Sequence, residues 1–431
     1  MKTLLLIAGR STRFWPLSEK SFFPIAGKSL IEHQIDRLKK GGCDDITLVC
    51  GAHNKDAASA LGLPIIEQED MELGTRGALL SALPSFGSES ILMVCGNDVV
   101  DPAAYTSVRE AVEEGAAGAL LAQKVDTYFP GGYVEVNGDR ITSIVEKPGE
   151  GNEPSDLVNI QIHAHADASV LLDALQKIDN DRDDGYEQAL ASLFGDHEYK
   201  AVSYEGLWQA VKFPWHVLQV LPHLLSGIEK QSIHKGATVH STAVIDGNVV
   251  IEDGAKIFEN AVIRGPSTIG KNAIVANNAL VRGSSIGDNC VVGYNTEVKD
   301  SVLHSHVWTH MTYIGDSVVG RNVAFGAGCI TANFRLDEAP ITSMISGEST
   351  DTNLVKFGNI IGDNCRLGIQ VSMSPGIKIG MGTFICSNAF VTEDIADGKY
   401  VRMKEGVLKV TDNTSTAPDP EGREQFRSGI K

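Results

Sequence analysis

The sequence predicts an α/β domain with a mostly parallel sheet, followed by a left-handed parallel β-helix of hexapeptide repeats. Two observations carry this prediction. Over residues 1–230, apolar runs typical of buried strands alternate with segments whose apolar residues recur at helical spacing. From about residue 238, aliphatic residues instead recur every six positions. The change of period predicts two domains of different construction in a chain of 431 residues.

The α/β domain is expected to occupy residues 1–230, with a linking helix at 215–230. Its strands and helices are predicted at 2–8 (strand), 29–40 (helix), Ile46–Cys50 (strand), 74–83 (helix) and Ile91–Cys95 (strand). Ligands of such sheets bind beyond the carboxyl ends of the strands. The loops after the first and third of these strands are therefore expected to carry the chemistry.

The second domain is expected at 231–405. Its six-residue step is kept by two trains of aliphatic residues: Val239, Ile245, Ile251, Ile257, Ile263, Ile269, Val275 and Val281, then Ile361, Leu367, Met373, Ile379, Ile385 and Val391. Three hexapeptides per coil, each with one inward aliphatic residue, build a triangular β-helix. Residues 335–358 break the period and predict a protruding loop, and the polar tail 406–431 is expected to be disordered.

Composition excludes several classes of function. The net charge of −18 argues against non-specific binding to nucleic acid or to an anionic membrane. No stretch approaches the roughly 18 to 20 apolar residues that span a bilayer. The seven cysteines form no CxxC pair, which favours reduced cytosolic thiols. We expect a soluble cytoplasmic protein without nucleic-acid or membrane partners.

A turn of small residues follows the first strand and precedes two cations. Backbone N–H groups of such a turn can approach a triphosphate, and Arg13 and Lys20 can neutralise its charge. The same turn is also compatible with a plain strand-to-helix connection. However, residues 8–34 (AGRSTRFWPLSEKSFFPIAGKSLIEHQ) resemble the signature of sugar-1-phosphate nucleotidylyltransferases. In spacing they are most similar to the bifunctional N-acetylglucosamine-1-phosphate uridylyltransferase/glucosamine-1-phosphate acetyltransferase family.

This resemblance implies a Rossmann-like nucleotidylyltransferase domain with Arg13 and Lys20 as catalytic cations. It also implies Asp98, in Gly-Asn-Asp after a strand, as the ligand of Mg²⁺. The residues that it implies for nucleotide binding are Gly9, Ser11, Thr12, Gln68, Gly74 and Thr75. Those that it implies for sugar binding are Gly132, Glu146, Lys147 and Asn159. The implied reaction is in-line attack by a sugar 1-phosphate on the α-phosphorus of a nucleoside triphosphate, with release of pyrophosphate.

Two residues depart from the family pattern. Ser11 replaces the second loop glycine, and Ala210 stands where the family has a second metal-binding carboxylate. Magnesium can be held by one carboxylate together with phosphates and waters. A nucleotidylyltransferase fold that has lost its first activity therefore stays open.

The segment 309–317, followed by Gly-Ala-Gly at 326–328 and by Asn333, resembles the acetyltransferase half of the same family. The resemblance makes His310 the general base for the sugar amine, since an imidazole titrates near neutral pH. It makes Arg282, Lys299, Tyr313 and Asn333 the contacts of the sugar phosphate, and it places acetyl-CoA along 359–392. A zinc site on His304, His306 and His310 is an alternative. Ala339 replaces a family lysine, so the amino sugar stays open.

The resemblance thus implies a bifunctional enzyme that depends on Mg²⁺ and acetyl-CoA, and we expect it to be a homotrimer as in this family. Its second half would acetylate glucosamine 1-phosphate, and its first half would couple the product to UTP. One alternative is a single-activity nucleotidylyltransferase for another hexose 1-phosphate, using dTTP or GTP, with a structural β-helix. Others are an acetyltransferase with a degenerate nucleotidylyl site and a binding or regulatory protein. The sequence fixes neither the base nor the sugar epimer.

Overall fold

The chain forms two compact units in a computed structural model that describes residues 1–179, 184–427 and 429–430. The units are composed of Met1–Arg10 with Ile31–Ala210, and of Ser11–Leu30 with Val211–Lys431. Each unit has its own apolar core.

These units differ from the predicted domain limits of 1–230 and 231–405. The predicted linking helix is observed at His216–Ser226 and belongs to the second unit. Trp215, at its start, is fully buried and packs against Phe357, with ring centroids 6.3 Å apart. Burial of this aromatic pair explains why the helix joins the second unit.

The segment 11–30 also belongs to the second unit, although its sequence resembles the loop of a nucleotidylyltransferase. The Ala26 amide donates to Ser285 Oγ at 2.9 Å, and Trp15 Nε1 donates to Asp397 Oδ1 at 3.0 Å. Both acceptors lie on the repeats of the solenoid. Hydrogen bonds over such sequence separations are not visible in the local pattern from which the domains were predicted.

A nine-stranded sheet forms the centre of the first unit. Its strands, in spatial order, are Ile65–Glu67, Ile46–Cys50, Lys2–Leu6, Ile91–Cys95, Leu157–His165, Gly118–Lys124, Tyr199–Ser203, Arg140–Glu146 and Gly132–Asn137. A separate ribbon pairs Asp98–Val100 with Trp208–Ala210. The alternation of strands and helices confirms the α/β class.

The prediction of a mostly parallel sheet is correct for its first four strands and for the pair of Gly118–Lys124 with Tyr199–Ser203, whereas the other pairings are antiparallel. Lys2–Leu6 pairs in parallel with both of its neighbours. In contrast, Leu157–His165 pairs antiparallel with both of its neighbours. Gly132–Asn137 and Arg140–Glu146 are joined by two residues, and so short a connection can only join antiparallel strands.

Apolar side chains on both faces of this sheet are buried, as with Leu4 and Leu5 on successive positions of the first strand. The helices of the unit are Leu30–Lys40 (whose first residue is counted with the second unit), Lys55–Ser59, Gly74–Ala82, Pro102–Glu113, Ala168–Gln176 and Gly185–Leu193, with short 3-10 turns at Ala52–Asn54 and Leu83–Ser85. None of the helices in the described part of the chain has the length and apolar character required to cross a membrane.

Three ladders of short parallel strands form the second unit. The first contains Ser232–Ile233, Val249–Ile251, Ser267–Ile269, Ser285–Ile286, Val302–Leu303, Val318–Val319, Ile360–Ile361 and Lys378–Ile379. The second contains Thr238–Val239, Lys256–Ile257, Ile274–Val275 and Val291–Val292, and continues through Trp308 to Ala324–Phe325, Arg366–Leu367, Phe384–Ile385, Lys399–Lys404 and the antiparallel Val407–Asp412. The third contains Val244–Asp246, Val262–Arg264, Leu280–Arg282, Glu297–Lys299, Tyr313–Gly315, Ile330–Thr331, Ser372–Met373 and Phe390–Val391.

The six-residue period accounts for these ladders. Ile251 pairs with Ile269, which is 18 positions later, so three hexapeptides make one coil. Side chains of successive coils stack in one buried apolar core. Asparagines such as Asn272 and Asn289 adopt φ of 53° and 58° at the corners, a conformation that asparagine tolerates better than other non-glycine residues.

The predicted break at 335–358 contains a β-hairpin of Ile341–Ile345 and Glu348–Leu354. Lys378, which is 1% exposed, fixes this hairpin to the coils. Its Nζ donates to Ser343 Oγ at 3.1 Å and to the carbonyl of Met344, and lies 3.0 Å from Asp394 Oδ2.

The expectation of a disordered tail over 406–431 is wrong for most of the described tail residues. After the strand Val407–Asp412, the chain forms short helical turns at Pro420–Arg423 and Glu424–Arg427. Arg423 lies over the ring of Trp308, with Cζ 4.2 Å from the centroid. This cation–π contact offsets the low apolar content on which the expectation was based. Residues 428 and 431 lie outside the described residues.

Candidate active sites

A two-stranded ribbon in the first unit positions Asp98. Its antiparallel register places Ala210 directly opposite Asp98. Trp208 Nε1 donates to Asp98 Oδ1 at 2.9 Å, and Gln34 Nε2 donates to the Asp98 carbonyl at 2.8 Å. The structure therefore places the methyl group of Ala210 opposite Asp98, where the family pattern has a second carboxylate.

The donor set around Asp98 fits a magnesium ion held mainly by its substrate. One carboxylate, 7% exposed, is present, and Ala210 adds no ligand. Among the described residues no group of three or more histidine, cysteine, aspartate or glutamate side chains could hold a metal ion. The same finding covers His304, His306 and His310, and it gives no support to a zinc site there.

Three predicted sugar-binding residues converge on Gly132. A Cβ built on Gly132 would lie 3.0 Å from Glu146 Oε2 and 3.6 Å from Asn159 Nδ2. Lys147, with φ of 47°, places its Nζ 3.2 Å from Glu146 Oε1. The structure therefore brings Gly132, Glu146, Lys147 and Asn159 together, and a Cβ at position 132 would require the Glu146 carboxylate to shift.

Gln68 shapes the loop that precedes the helix Gly74–Ala82. Its Nε2 donates to the carbonyls of Asp70 and Gly74 at 2.7 and 3.0 Å. Gly74 adopts φ of 54°, a left-handed conformation that favours glycine, and Thr75 follows it in the first turn of the helix. The buried amide of Gln68 thus fixes the backbone at the N-terminus of this helix, a role that the sequence did not indicate.

The loop cations Arg13 and Lys20 belong to the second unit, whereas Gly9 belongs to the first and follows the strand Lys2–Leu6 by three residues. Ser11 has φ of 54°, so it occupies a conformation natural for the glycine it replaces. Its Oγ donates to Glu19 Oε1 at 3.2 Å. Thr12 begins a short 3-10 helix, and Arg13 Cζ lies 5.9 Å from the ring centroid of Phe213.

In the solenoid, the predicted sugar-phosphate cations are paired with acids. Arg282 Nη2 donates to Glu297 Oε1 at 2.7 Å. Lys299 Nζ lies 2.9 Å from Asp316 Oδ2 and 2.7 Å from Asp300 Oδ2. Burial opposes the charge of Lys299, but its hydrogen bonds to these carboxylates prevail and raise its pKa.

The same cluster contains two further predicted residues. Asn333 Nδ2 donates to Tyr313 Oη at 3.2 Å and to the Asp316 carboxylate. Burial raises the pKa of Tyr313, so its hydroxyl stays protonated at neutral pH. Arg282, Lys299, Tyr313 and Asn333 are thus brought together on successive coils.

His310 lies at an exposed corner of the solenoid. Its carbonyl accepts from Thr312 Oγ1 at 2.8 Å, and among the described residues its ring has no hydrogen-bond or ion-pair partner. In contrast, burial lowers the pKa of His304 to about 4, and its ring packs edge-on against Phe23 at 5.7 Å. His304 is therefore a neutral packing residue, whereas His310 is accessible.

Sequence reasoning missed Glu297 and the role of Asp316. A signal was present, because Lys299 and Asp316 are 17 positions apart, which is about one coil. Residues at that spacing lie on adjacent coils of the solenoid. Their opposite charges therefore predict the ion pair that the structure shows.

Comparison with known proteins covers almost the whole chain. The MobA-like NTP transferase domain family matches residues 3–235, and the GMPPB C-terminal domain family matches residues 228–334. A bifunctional sugar-1-phosphate nucleotidylyltransferase/acetyltransferase of Sulfurisphaera tokodaii is 31% identical over 94% of this chain and 100% of its own length. Proteins named bifunctional protein GlmU from Methanococcus maripaludis (strain C5) and Methanocaldococcus jannaschii are 34% and 31% identical. The alignments cover 95% of this chain and 98% and 99% of those proteins.

Proposed function

Because the chain belongs to the family of bifunctional sugar-1-phosphate nucleotidylyltransferase/acetyltransferases, we propose that it converts glucosamine 1-phosphate to UDP-N-acetylglucosamine in two steps. Acetyl-CoA supplies the acetyl group in the first step and UTP supplies the uridylyl group in the second. The observation that supports both steps is the alignment with relatives named for both activities over 94–95% of the chain. These substrates place its action in the cytoplasm.

For uridylyl transfer, the residues of the first half bind and orient two anionic substrates. Asp98 would hold Mg²⁺, which neutralises triphosphate charge when bound. Glu146 and Asn159 orient the sugar, and Arg13 and Lys20 neutralise charge that develops on the phosphates. Gly9, Ser11 and Thr12 supply backbone donors, and Gln68, Gly74 and Thr75 shape the base pocket. The sugar phosphate oxygen attacks the α-phosphorus and pyrophosphate leaves.

For acetyl transfer, His310 takes the proton from the sugar amine as the nitrogen attacks the thioester carbonyl, and CoA leaves as the thiol. Arg282 and Lys299 bind the sugar phosphate together with Tyr313 and Asn333. Their partners Glu297 and Asp316 offset this positive charge and can receive the ammonium form of the substrate.

The solenoid is proposed to be a left-handed β-helix that assembles as a homotrimer, with acetyl-CoA along the coils at 359–392. The exposed apolar side chains of Tyr294, Met311, Ile330 and Phe390 would be covered by a second copy.

A second candidate function is acetyl transfer alone. It is favoured by Ala210, which faces Asp98 across the ribbon and leaves that site one carboxylate short. Asp98 alone would then bind Mg²⁺ too weakly for turnover.

One assay separates these functions. Purified protein with Mg²⁺ is given four nucleoside triphosphates and a panel of hexose and hexosamine 1-phosphates, with acetyl-CoA in half of the reactions. Pyrophosphate and free thiol are measured in parallel. We expect pyrophosphate with UTP and N-acetylglucosamine 1-phosphate, and thiol with glucosamine 1-phosphate. Thiol without pyrophosphate from any pair of substrates would reject the first activity in favour of the second candidate.

A further inference from the structure

A buried chain of five polar side chains runs through the first unit and ends at the candidate sugar site. Tyr199 Oη lies 3.0 Å from His165 Nδ1, and His165 Nε2 lies 3.4 Å from Tyr186 Oη. Tyr186 Oη is in turn 2.5 Å from His163 Nδ1, and His163 Nε2 is 2.7 Å from Asn159 Oδ1. The chain therefore connects Tyr199, on the strand next but one to Leu157–His165, to a predicted sugar contact.

These hydrogen bonds have one consistent direction. The carboxamide oxygen of Asn159 can only accept, so His163 carries its proton on Nε2. Its Nδ1 must then accept from the hydroxyl of Tyr186. The Tyr186 oxygen accepts from His165 Nε2–H, and His165 Nδ1 accepts from Tyr199. Each group donates once, towards Asn159.

Burial keeps this direction fixed. All five side chains are at most 6% exposed, and His163 and Tyr186 are fully buried. Burial lowers the pKa of His165 to about 3, and burial together with His165 lowers that of His163 well below its usual range. A hydrogen bond to the backbone of Ile160 opposes the shift of the His163 pKa but does not outweigh burial, so both rings are neutral at physiological pH, with one proton each.

We propose that His163 and Tyr186 are positioning residues for the sugar 1-phosphate, because they hold the Asn159 carboxamide with its oxygen inward and its Nδ2–H₂ group as the donor beside Glu146. A hydroxyl of the sugar can then accept from Asn159 and donate to the Glu146 carboxylate. This arrangement recognises a group that is both acceptor and donor. The inference rests on the proposed uridylyl transfer.

Removal of one hydroxyl tests this proposal. In Tyr186→Phe, His163 Nδ1 loses its donor, so the ring can take the other tautomer and the carboxamide of Asn159 can turn over. We expect KM for the sugar 1-phosphate to rise about tenfold, the effect of one lost hydrogen bond. KM for the nucleotide and the rate of acetyl transfer are expected to stay within about twofold of wild type. Such a change corresponds to a free-energy difference smaller than RT.

Tyr105→Phe is the matched control. Tyr105 is also fully buried in the first unit, but its hydroxyl has no hydrogen-bond partner among the described residues. Its removal should leave KM for the sugar unchanged. An unchanged sugar KM in Tyr186→Phe, or an equal rise in KM for the nucleotide, would overturn the positioning role. A wild-type enzyme without any pyrophosphate release would instead overturn the proposed function.

The tautomer can be measured without turnover. Nitrogen-15 shifts of the His163 ring, assigned by their loss in His163→Gln, should show protonated Nε2 and unprotonated Nδ1 in the wild-type protein at neutral pH. Tyr186→Phe should change this pattern, and Tyr105→Phe should not. Protonation of Nδ1 in the wild type would overturn the direction on which the proposal depends.

Discussion

Acid should destabilise the first unit through its buried histidines. His165 has an ordinary pKa of 6.5 when the chain is unfolded, and burial lowers it to about 3 in the folded protein. Between these two pKa values, the His165 ring is protonated in the unfolded state and neutral in the folded state. The stability present above pH 6.5 is lost as the pH falls towards the folded pKa.

The size of this effect follows from the shift. Between about pH 7.5 and about pH 5.5, His165 alone is expected to lower the free energy of unfolding by about 1.4 kcal/mol, or one pKa unit of differential protonation. His163 acts in the same direction, because its pKa is also lowered by burial. Both histidines lie on the strand Leu157–His165 at the centre of the sheet, so the loss concerns the whole unit.

Urea denaturation at these two pH values can measure the loss. Helical far-UV circular dichroism reports largely on the first unit, which contains most residues of six of the eight described α-helices. In His165→Gln the pH-dependent loss should shrink by about 1.4 kcal/mol, whereas in His197→Gln, a partly exposed residue of the same unit, it should not. Equal pH dependence in wild type and His165→Gln would show that protonation of His165 does not cause the loss of stability.

Three further substitutions test other contacts. Gly132→Ala should raise KM for the sugar 1-phosphate about tenfold or more, because the added methyl group pushes the Glu146 carboxylate aside. Gly195→Ala, where a Cβ meets open space, should leave this KM unchanged. Equal KM values in the two variants would contradict a sugar site at Gly132. Ala210→Asp should tighten the Mg²⁺ dependence of pyrophosphate release, and a Mg²⁺ titration identical to wild type would exclude a ligand at this position. Lys378→Met should cost about 1–3 kcal/mol locally by removing the donor of Ser343 Oγ and of the Met344 carbonyl, so hydrogen exchange of 341–354 should accelerate, and unchanged exchange would contradict it.

The sequence predicts the solenoid well because its core allows little choice. Each coil presents the same three inward positions, so Ile251, Ile269 and their counterparts must be aliphatic and the period is visible directly. The sugar cluster is also predictable, since Gly132, Glu146 and Asn159 belong to local motifs that the fold brings together.

Other features depend on contacts between distant residues. The hydrogen bond from Ala26 to Ser285 spans 259 positions, so the placement of 11–30 with the solenoid leaves no local signal. The tail is fixed by Arg423 over Trp308, a contact that hydropathy does not register. The sequence shows only two histidines near Asn159. It does not reveal the chain of hydrogen bonds that they form with Tyr186 and Tyr199, because this chain depends on the burial of all four side chains.

If this chain contains two independent transferase sites, each can be inactivated without the other. Pyrophosphate and thiol release are therefore measured in Asp98→Ala and His310→Ala beside wild type. We expect Asp98→Ala to lose pyrophosphate release and keep thiol release, and His310→Ala to do the reverse. If either substitution left both activities at the wild-type level, or abolished both in a folded protein, the assignment of two separate sites would be contradicted.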